Sequence, residues 1–180
     1  MNQSTKNRIL WITRTGILIA LLVTLQAVTS GLGQFVTGSC VNAVLVIAAL
    51  AAGLWSGITV AFLSPFCAFL LGVGPQLIQI VPAIALGNLV LVWFVHITLR
   101  RENSTLWKKV IGIAASAAAK FLTLYLAVVV VFIPAMGPAL AEKQVKTFTA
   151  MFSWPQLVTA LIGTTVAVLL LPLIRKAIKK

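Results

Sequence analysis

Long apolar runs, broken by short clusters of glycine, proline and basic residues, organise this chain. Cutting the runs at those breaks gives six apolar segments, at about 12–30, 40–55, 57–73, 77–99, 109–133 and 155–174. A helix needs about 20 apolar residues to cross a hydrocarbon core roughly 30 Å thick. The longer four segments meet that length. The second and third are short for full spans, which implies a thinner local bilayer or shielding by neighbouring helices. Trp55-Ser56-Gly57 reads as the tight turn between them. Ser64-Pro65 predicts a kink in the third, because proline lacks an N–H and its ring clashes with the preceding turn. Gly72-Val73-Gly74-Pro75 breaks the chain before the fourth. The pattern predicts an all-α integral membrane protein: one domain over residues 1–180, a bundle of six transmembrane helices.

Composition supports this class. The chain is 61% hydrophobic and only 9% charged, with a mean hydropathy of +1.10. A soluble domain places charge on about a quarter of its residues, so this surface must face lipid. The net charge is +12, and Glu102 and Glu142 are the two acidic residues. Such a basic balance could suggest nucleic acid, but the lysines and arginines sit at the ends of apolar segments and interleave with no stacking aromatics. They form three clusters: Lys6, Arg8 and Arg14 at the start; Arg100, Arg101, Lys108 and Lys109 between the fourth and fifth segments; Arg175, Lys176, Lys179 and Lys180 at the end. Six spans put all three on one side, which the positive-inside rule makes cytoplasmic, with both termini. Trp11, Trp55 and Trp107 then fall near the inner interface and Trp154 near the outer one. The first apolar stretch is long enough to span and ends in no clear small-residue cleavage site, so it does not read as a cleavable signal.

The outer connections are residues 31–39, 72–76 and 134–154. The first and last are long. The first is rich in glycine and hydrogen-bonding side chains, and reads either as a lid over one face of the bundle or as a plain connector. Small residues Gly16, Ala20 and Thr24 recur every fourth position on the first span, a stripe that lets another helix approach closely.

Lys120 is the residue most at odds with its surroundings. It lies about eleven residues into the fifth segment, about 16 Å along a helix and near the bilayer midplane. A charge there costs at least about 2.5 kcal/mol, and no acidic residue occurs in any of the six segments. Ser116, Lys120, Thr123 and Ala127 share one helical face. Lys120 therefore either contacts a substrate or serves as a structural lysine that bonds buried carbonyls and amides or snorkels to water. Amides form a second group. Asn42 opens the second segment, Gln76 and Gln79 open the fourth at a spacing of three, and Asn88 lies in its middle near the same face. Buried amides need partners; they either read a small molecule or bond helix to helix. Gln34, Tyr125, Trp154 and Gln156 are further candidates for an outward-facing pocket. His96, near the inner end of the fourth segment, reads as an interfacial hydrogen-bonding residue. Cys40 and Cys67 show no metal or redox spacing and read as small apolar residues.

Several chemistries lack their parts. The sequence has no GxxxxGK[ST] phosphate loop, no HExxH and no plausible Ser/His/Asp set. It also lacks the intramembrane carboxylate usual in proton-driven carriers. No enzyme, cofactor or metal is expected, and uphill transport would draw its energy from a partner.

Taken together, the chain resembles the substrate-binding S components of energy-coupling factor (ECF) vitamin transporters. The resemblance covers essentially the whole chain. It rests on the length, six spans with both ends inside, the first span Arg14-Thr-Gly-Ile-Leu-Ile-Ala-Leu-Leu-Val-Thr-Leu-Gln26, the long first outer loop and the basic C-terminus. In that family a small-residue motif on the first helix, usually Ala-xxx-Ala, docks on a shared transmembrane coupling protein; Gly16-xxx-Ala20 stands there, with glycine replacing the first alanine. The resemblance implies a substrate site in the outer half of the bundle, which makes Gln34, Asn42, Gln76, Gln79, Asn88 and Trp154 substrate-binding candidates and leaves Lys120 somewhat deep. It further implies capture of a small water-soluble vitamin or related metabolite, work with the coupling protein and a pair of cytoplasmic ATPases, and residence in a bacterial plasma membrane. Lys120 inclines the reading toward a substrate carrying a carboxylate or similar anion. The alternatives are a small membrane scaffold that transports nothing, and a self-sufficient channel or carrier.

Overall fold

The computed structural model describes residues 2–101 and 104–178, so Glu102, Lys179 and Lys180 lie outside the described residues. Five helical stretches are long and apolar enough to cross a membrane: Gln3–Leu32, Gln34–Ala52, Ile78–Leu99, Leu106–Met136 and Glu142–Ala177. A sixth apolar helix, Leu54–Leu70, is shorter; its 17 residues extend about 26 Å at helical rise. No strand occurs among the described residues.

We label the elements α1 (Gln3–Thr29), α2 (Gln34–Ile47), α3 (Leu54–Leu70), α4 (Val81–Leu99), α5 (Leu106–Leu124), α6 (Ile133–Met136), α7 (Glu142–Met151) and α8 (Trp154–Ile178). Wide, π-type turns carry α2 on through Ala48–Ala52 and join α5 to α6 through Tyr125–Phe132.

The boundaries of α2 correct two expectations. The turn into α3 is at Gly53, not at residues 55–57. Gly53 has φ +102°, a conformation that costs glycine nothing and other residues much. Trp55, Ser56 and Gly57 already belong to α3. Gly57 serves packing instead: a Cβ there would stand 2.9 Å from the Ala49 backbone. The long first outer loop is likewise absent. The chain turns at Ser30–Gly33, where Gly33 has φ +88°, and residues 34–39 form the first turns of α2. Thr37 ties the corner by donating its hydroxyl to the Thr29 carbonyl at 2.6 Å. No lid of residues 31–39 exists. The last outer connection is ordered rather than loose, because it contains α7.

Close helix approach depends on missing side chains. The packing of α2 on α8 is the most extensive in the molecule. A Cβ on Gly163 would lie 2.5 Å from the Ser39 carbonyl oxygen and 2.6 Å from Asn42 Cβ, and one on Gly38 would lie 2.9 Å from Thr159. Gly87 makes room for Leu124 in the same way between α4 and α5. The main core joins α1, α2, α3, α4 and α8 through Leu22, Leu45, Val60, Leu91, Val95 and Leu171. A second cluster lies under α7, where Phe148, Phe152 and Leu140 meet Ile80, Leu124 and Val128. The outward face of α7 carries an exposed Lys146–Glu142 pair at 2.6 Å, and such pairs contribute little.

The basic segments gather at one end. The Thr15 and Ser56 hydroxyls are hydrogen-bonded at 2.8 Å, and Arg175 Nη2 donates to the Leu50 carbonyl at 3.0 Å. The connections at 30–33 and 71–80, with α7, form the opposite end.

Candidate functional site

A cavity of about 670 Å³ occupies the end of the bundle away from the basic segments. That volume is in the range typical of small-molecule sites. It runs from exposed Ser30, Gly74 and Gln76 to buried Asn42, Asn88 and Lys120. The helix ends build it. Gln26 comes from the last turns of α1, Gln34 from the start of α2, Gln76 from the α3–α4 connection and Gln156 from the start of α8. Phe148 and Met151 of α7 cover it from the side.

Lys120 is 3% exposed. Its Nζ donates to Asn42 Oδ1 at 2.6 Å and to Asn88 Oδ1 at 2.7 Å. Three helices, α2, α4 and α5, thus meet on one amine. Ammonium carries three N–H donors, and these bonds use two of them. Asn42 Nδ2 reaches Thr159 Oγ1 on α8 at 3.4 Å, a long contact. The buried acidic partner that would ordinarily accompany such a lysine is missing among the described residues, and none of those that line the cavity is acidic. The described carboxylate, Glu142, is on the surface with Lys146.

Lys120 needs α5 to bring it here. Ser116, one turn before it, is fully buried and bonds its own helix at the Gly112 carbonyl, 2.7 Å away. The small residues around it, including buried Ala117, let α4 come close.

The sequence candidates divide on position. Gln34, Asn42, Gln76, Asn88 and Lys120 line the cavity; Gln79, Tyr125 and Trp154 are not among its lining residues. Gln76 and Gln79 do not continue the face of Asn88, because α4 begins only at Val81, after an irregular connection and the short turn Ile78–Ile80. Gln76 Nε2 instead bonds the Gly74 carbonyl at 3.1 Å, and Gln79 is exposed. Tyr125 stacks at an angle on Phe121, and Trp154, 62% exposed, on Phe35. The cavity adds Gln26, which ends the first-span motif, and Ser64, which the sequence offered only as the residue before a kinking proline. Ser64 is 1% exposed and its hydroxyl has no partner among the described residues. His96 is far along α4 from this site; its Nδ1 is buried without a partner among the described residues.

The stripe Gly16, Ala20 and Thr24 is exposed along α1. A Cβ on Gly16 would meet nothing within 4 Å.

A multi-pass apolar bundle with a solute-sized, acid-free cavity at one end defines a membrane protein built to hold a small molecule. The chain belongs to the family described as "ECF transporter, substrate-specific component", whose pattern it matches over residues 11–175. No curated protein and no solved structure matches it. It is therefore a substrate-specific subunit of a transporter and a multi-pass membrane protein.

Proposed function

We propose that this subunit captures a small water-soluble, vitamin-like metabolite in the cavity at the end of the bundle, with Lys120 in direct contact with it. The observation that carries this reading is the cavity of about 670 Å³ that ends at a buried lysine held by two asparagines. A lysine kept only for packing would not need to border open space. Gln26 and Gln34 also line the cavity and make no side-chain hydrogen bond among the described residues, as expected of groups that serve a ligand.

In this reading the chain crosses a bacterial plasma membrane six times, with both termini and all basic clusters on the cytoplasmic side. The cavity faces outward. The 17-residue α3 crosses as a short span among longer neighbours. The Gly16/Ala20/Thr24 stripe receives the transmembrane coupling protein. An ATPase pair on the cytoplasmic side supplies the energy that the chain itself has no chemistry to provide.

The direct test is a thermal-shift screen of the purified chain against water-soluble vitamins and their precursors. A ligand at a hundredfold over its dissociation constant stabilises the folded state by about 2.7 kcal/mol, so a match raises the melting temperature clearly. A well-folded sample that no member of a broad panel stabilises would overturn the proposal.

A further inference from the structure

The deep end of the cavity holds a cationic donor and an amide donor and no acidic acceptor among the described residues. Lys120 donates to both asparagine oxygens, Asn42 Oδ1 and Asn88 Oδ1. At this end stand the third Lys120 N–H and the Asn88 Nδ2 group, beside Ser64, whose buried hydroxyl can donate or accept and makes no hydrogen bond among the described residues. Buried donors without partners are costly, so an occupant that is complementary here must bring acceptors. A carboxylate is acceptor-only and has about four lone-pair sites. Its single charge also matches the single lysine. A phosphate monoester, near −2 at neutral pH, would leave a buried charge unbalanced.

Further out the chemistry changes. The wall between the deep end and the mouth is apolar, with Leu22, Val81, Ile84 and Phe148. At the helix ends stand four glutamines, from α1, α2, the α3–α4 connection and α8. Amides both donate and accept, and they carry no charge. No lining residue is acidic, so nothing in the cavity would neutralise a cationic group.

We infer that the cavity takes a monocarboxylate, acid end first: the carboxylate on Lys120, Asn88 and Ser64, an apolar body against the wall, and an uncharged polar head among the glutamines. Cations and zwitterions are rejected. This rests on the binding reading above and adds to it the charge, the orientation and Ser64 as a specificity residue.

The test uses the full chain in lipid nanodiscs, with calorimetric titration of nicotinate, pantothenate and biotin, each beside its neutral amide, and of thiamine as a cation. The inference expects at least one acid to bind at least tenfold tighter than its amide, and thiamine not to bind. The Lys120→Met chain should lose that preference. Ser64→Ala should weaken the acid several-fold while leaving the preference in place. Asn88→Asp, which sets a carboxylate beside Lys120, should also abolish the preference for acids. Two results would overturn the inference but leave the binding role standing: an acid and its amide binding equally, or thiamine binding best. The acid–amide comparison on the unaltered chain decides this even if a variant fails to fold. Absence of binding by every probe to a folded chain would overturn the inference, and the broad thermal-shift screen then decides the binding reading.

Discussion

At the scale of single residues, the balance around Lys120 separates binding from stability. Lys120→Met leaves Asn42 Oδ1 and Asn88 Oδ1 unpaired, at about 1–3 kcal/mol each. It also removes a buried ammonium whose insertion costs at least about 2.5 kcal/mol. The two effects oppose, so the unliganded melting temperature should move little. Ligand affinity should fall by roughly 10- to 100-fold, the worth of one charge-assisted hydrogen bond of about 1.5–3 kcal/mol. Titration and melting of the same samples check both; an unchanged affinity would remove Lys120 from the site. The glutamines give a second contrast. Gln26→Ala and Gln156→Ala, at the cavity, should weaken binding several-fold, whereas Gln79→Ala, Tyr125→Phe and Trp154→Ala, outside it, should stay within about twofold in the same titration. Asn42, Asn88 and Lys120 were legible in the sequence because a polar side chain inside an apolar run has to be explained. Ser64 was not, because a serine beside a helical proline already has a local explanation. Gln79 misled for a different reason: its spacing to Asn88 implies a shared face only if the helix between them is continuous, and α4 begins at Val81.

At the scale of elements, the spans were legible and their ends less so. Apolar length locates a membrane helix, and 77–99 matches Ile78–Leu99 to within a residue. Glycine is where the reading failed, because it does two jobs that look alike in a sequence. Gly33 and Gly53 supply positive φ and turn the chain, while Gly38 and Gly57 are helical and make room for a neighbour. Taking Gly57 for a turn and Gly38 for a loop shifted both ends of α2 and left a long loop, lid or connector, where the protein has helix. Gly163 tests the packing role. Its missing Cβ lies where Ser39 oxygen and Asn42 Cβ would be met at 2.5 and 2.6 Å, and the first of these is backbone that yields only if a helix moves. Gly163→Ala should therefore cost about 1–3 kcal/mol, as overpacking does, seen as a melting temperature several degrees lower. It should also weaken ligand binding, since Asn42 holds Lys120. Gly31→Ala, with nothing within 4 Å, should change neither; equal effects from both would refute the packing account.

At the scale of the whole molecule, the two ends of the bundle have different work. The cavity end gathers amides, a lysine and the amphipathic cover α7; the other gathers arginines and lysines, tied by Thr15 to Ser56 and Arg175 to Leu50. Between them the Gly16/Ala20/Thr24 face of α1 is left uncovered while the face with buried Thr15, Leu22 and Thr29 packs inward. Membership of a family of substrate-specific transporter components gives the reason to expect another helix on this stripe. Because no side chain of the bundle stands over Gly16, larger residues on this face should leave the fold and the cavity untouched. Ala20→Leu, or Gly16→Leu with it, should therefore bind ligand with unchanged affinity as an isolated chain. In membranes holding the coupling protein, the same variants should co-purify with it at least tenfold less and lose uptake. Small residues make such a contact through close backbone approach, and one leucine pushes the helices apart. If assembly survived both substitutions while a distant face of α1 proved sensitive, the docking surface would have to be sought elsewhere. If ligand binding fell along with assembly, the stripe would be part of the fold and the separation between a binding end and a docking flank would not hold.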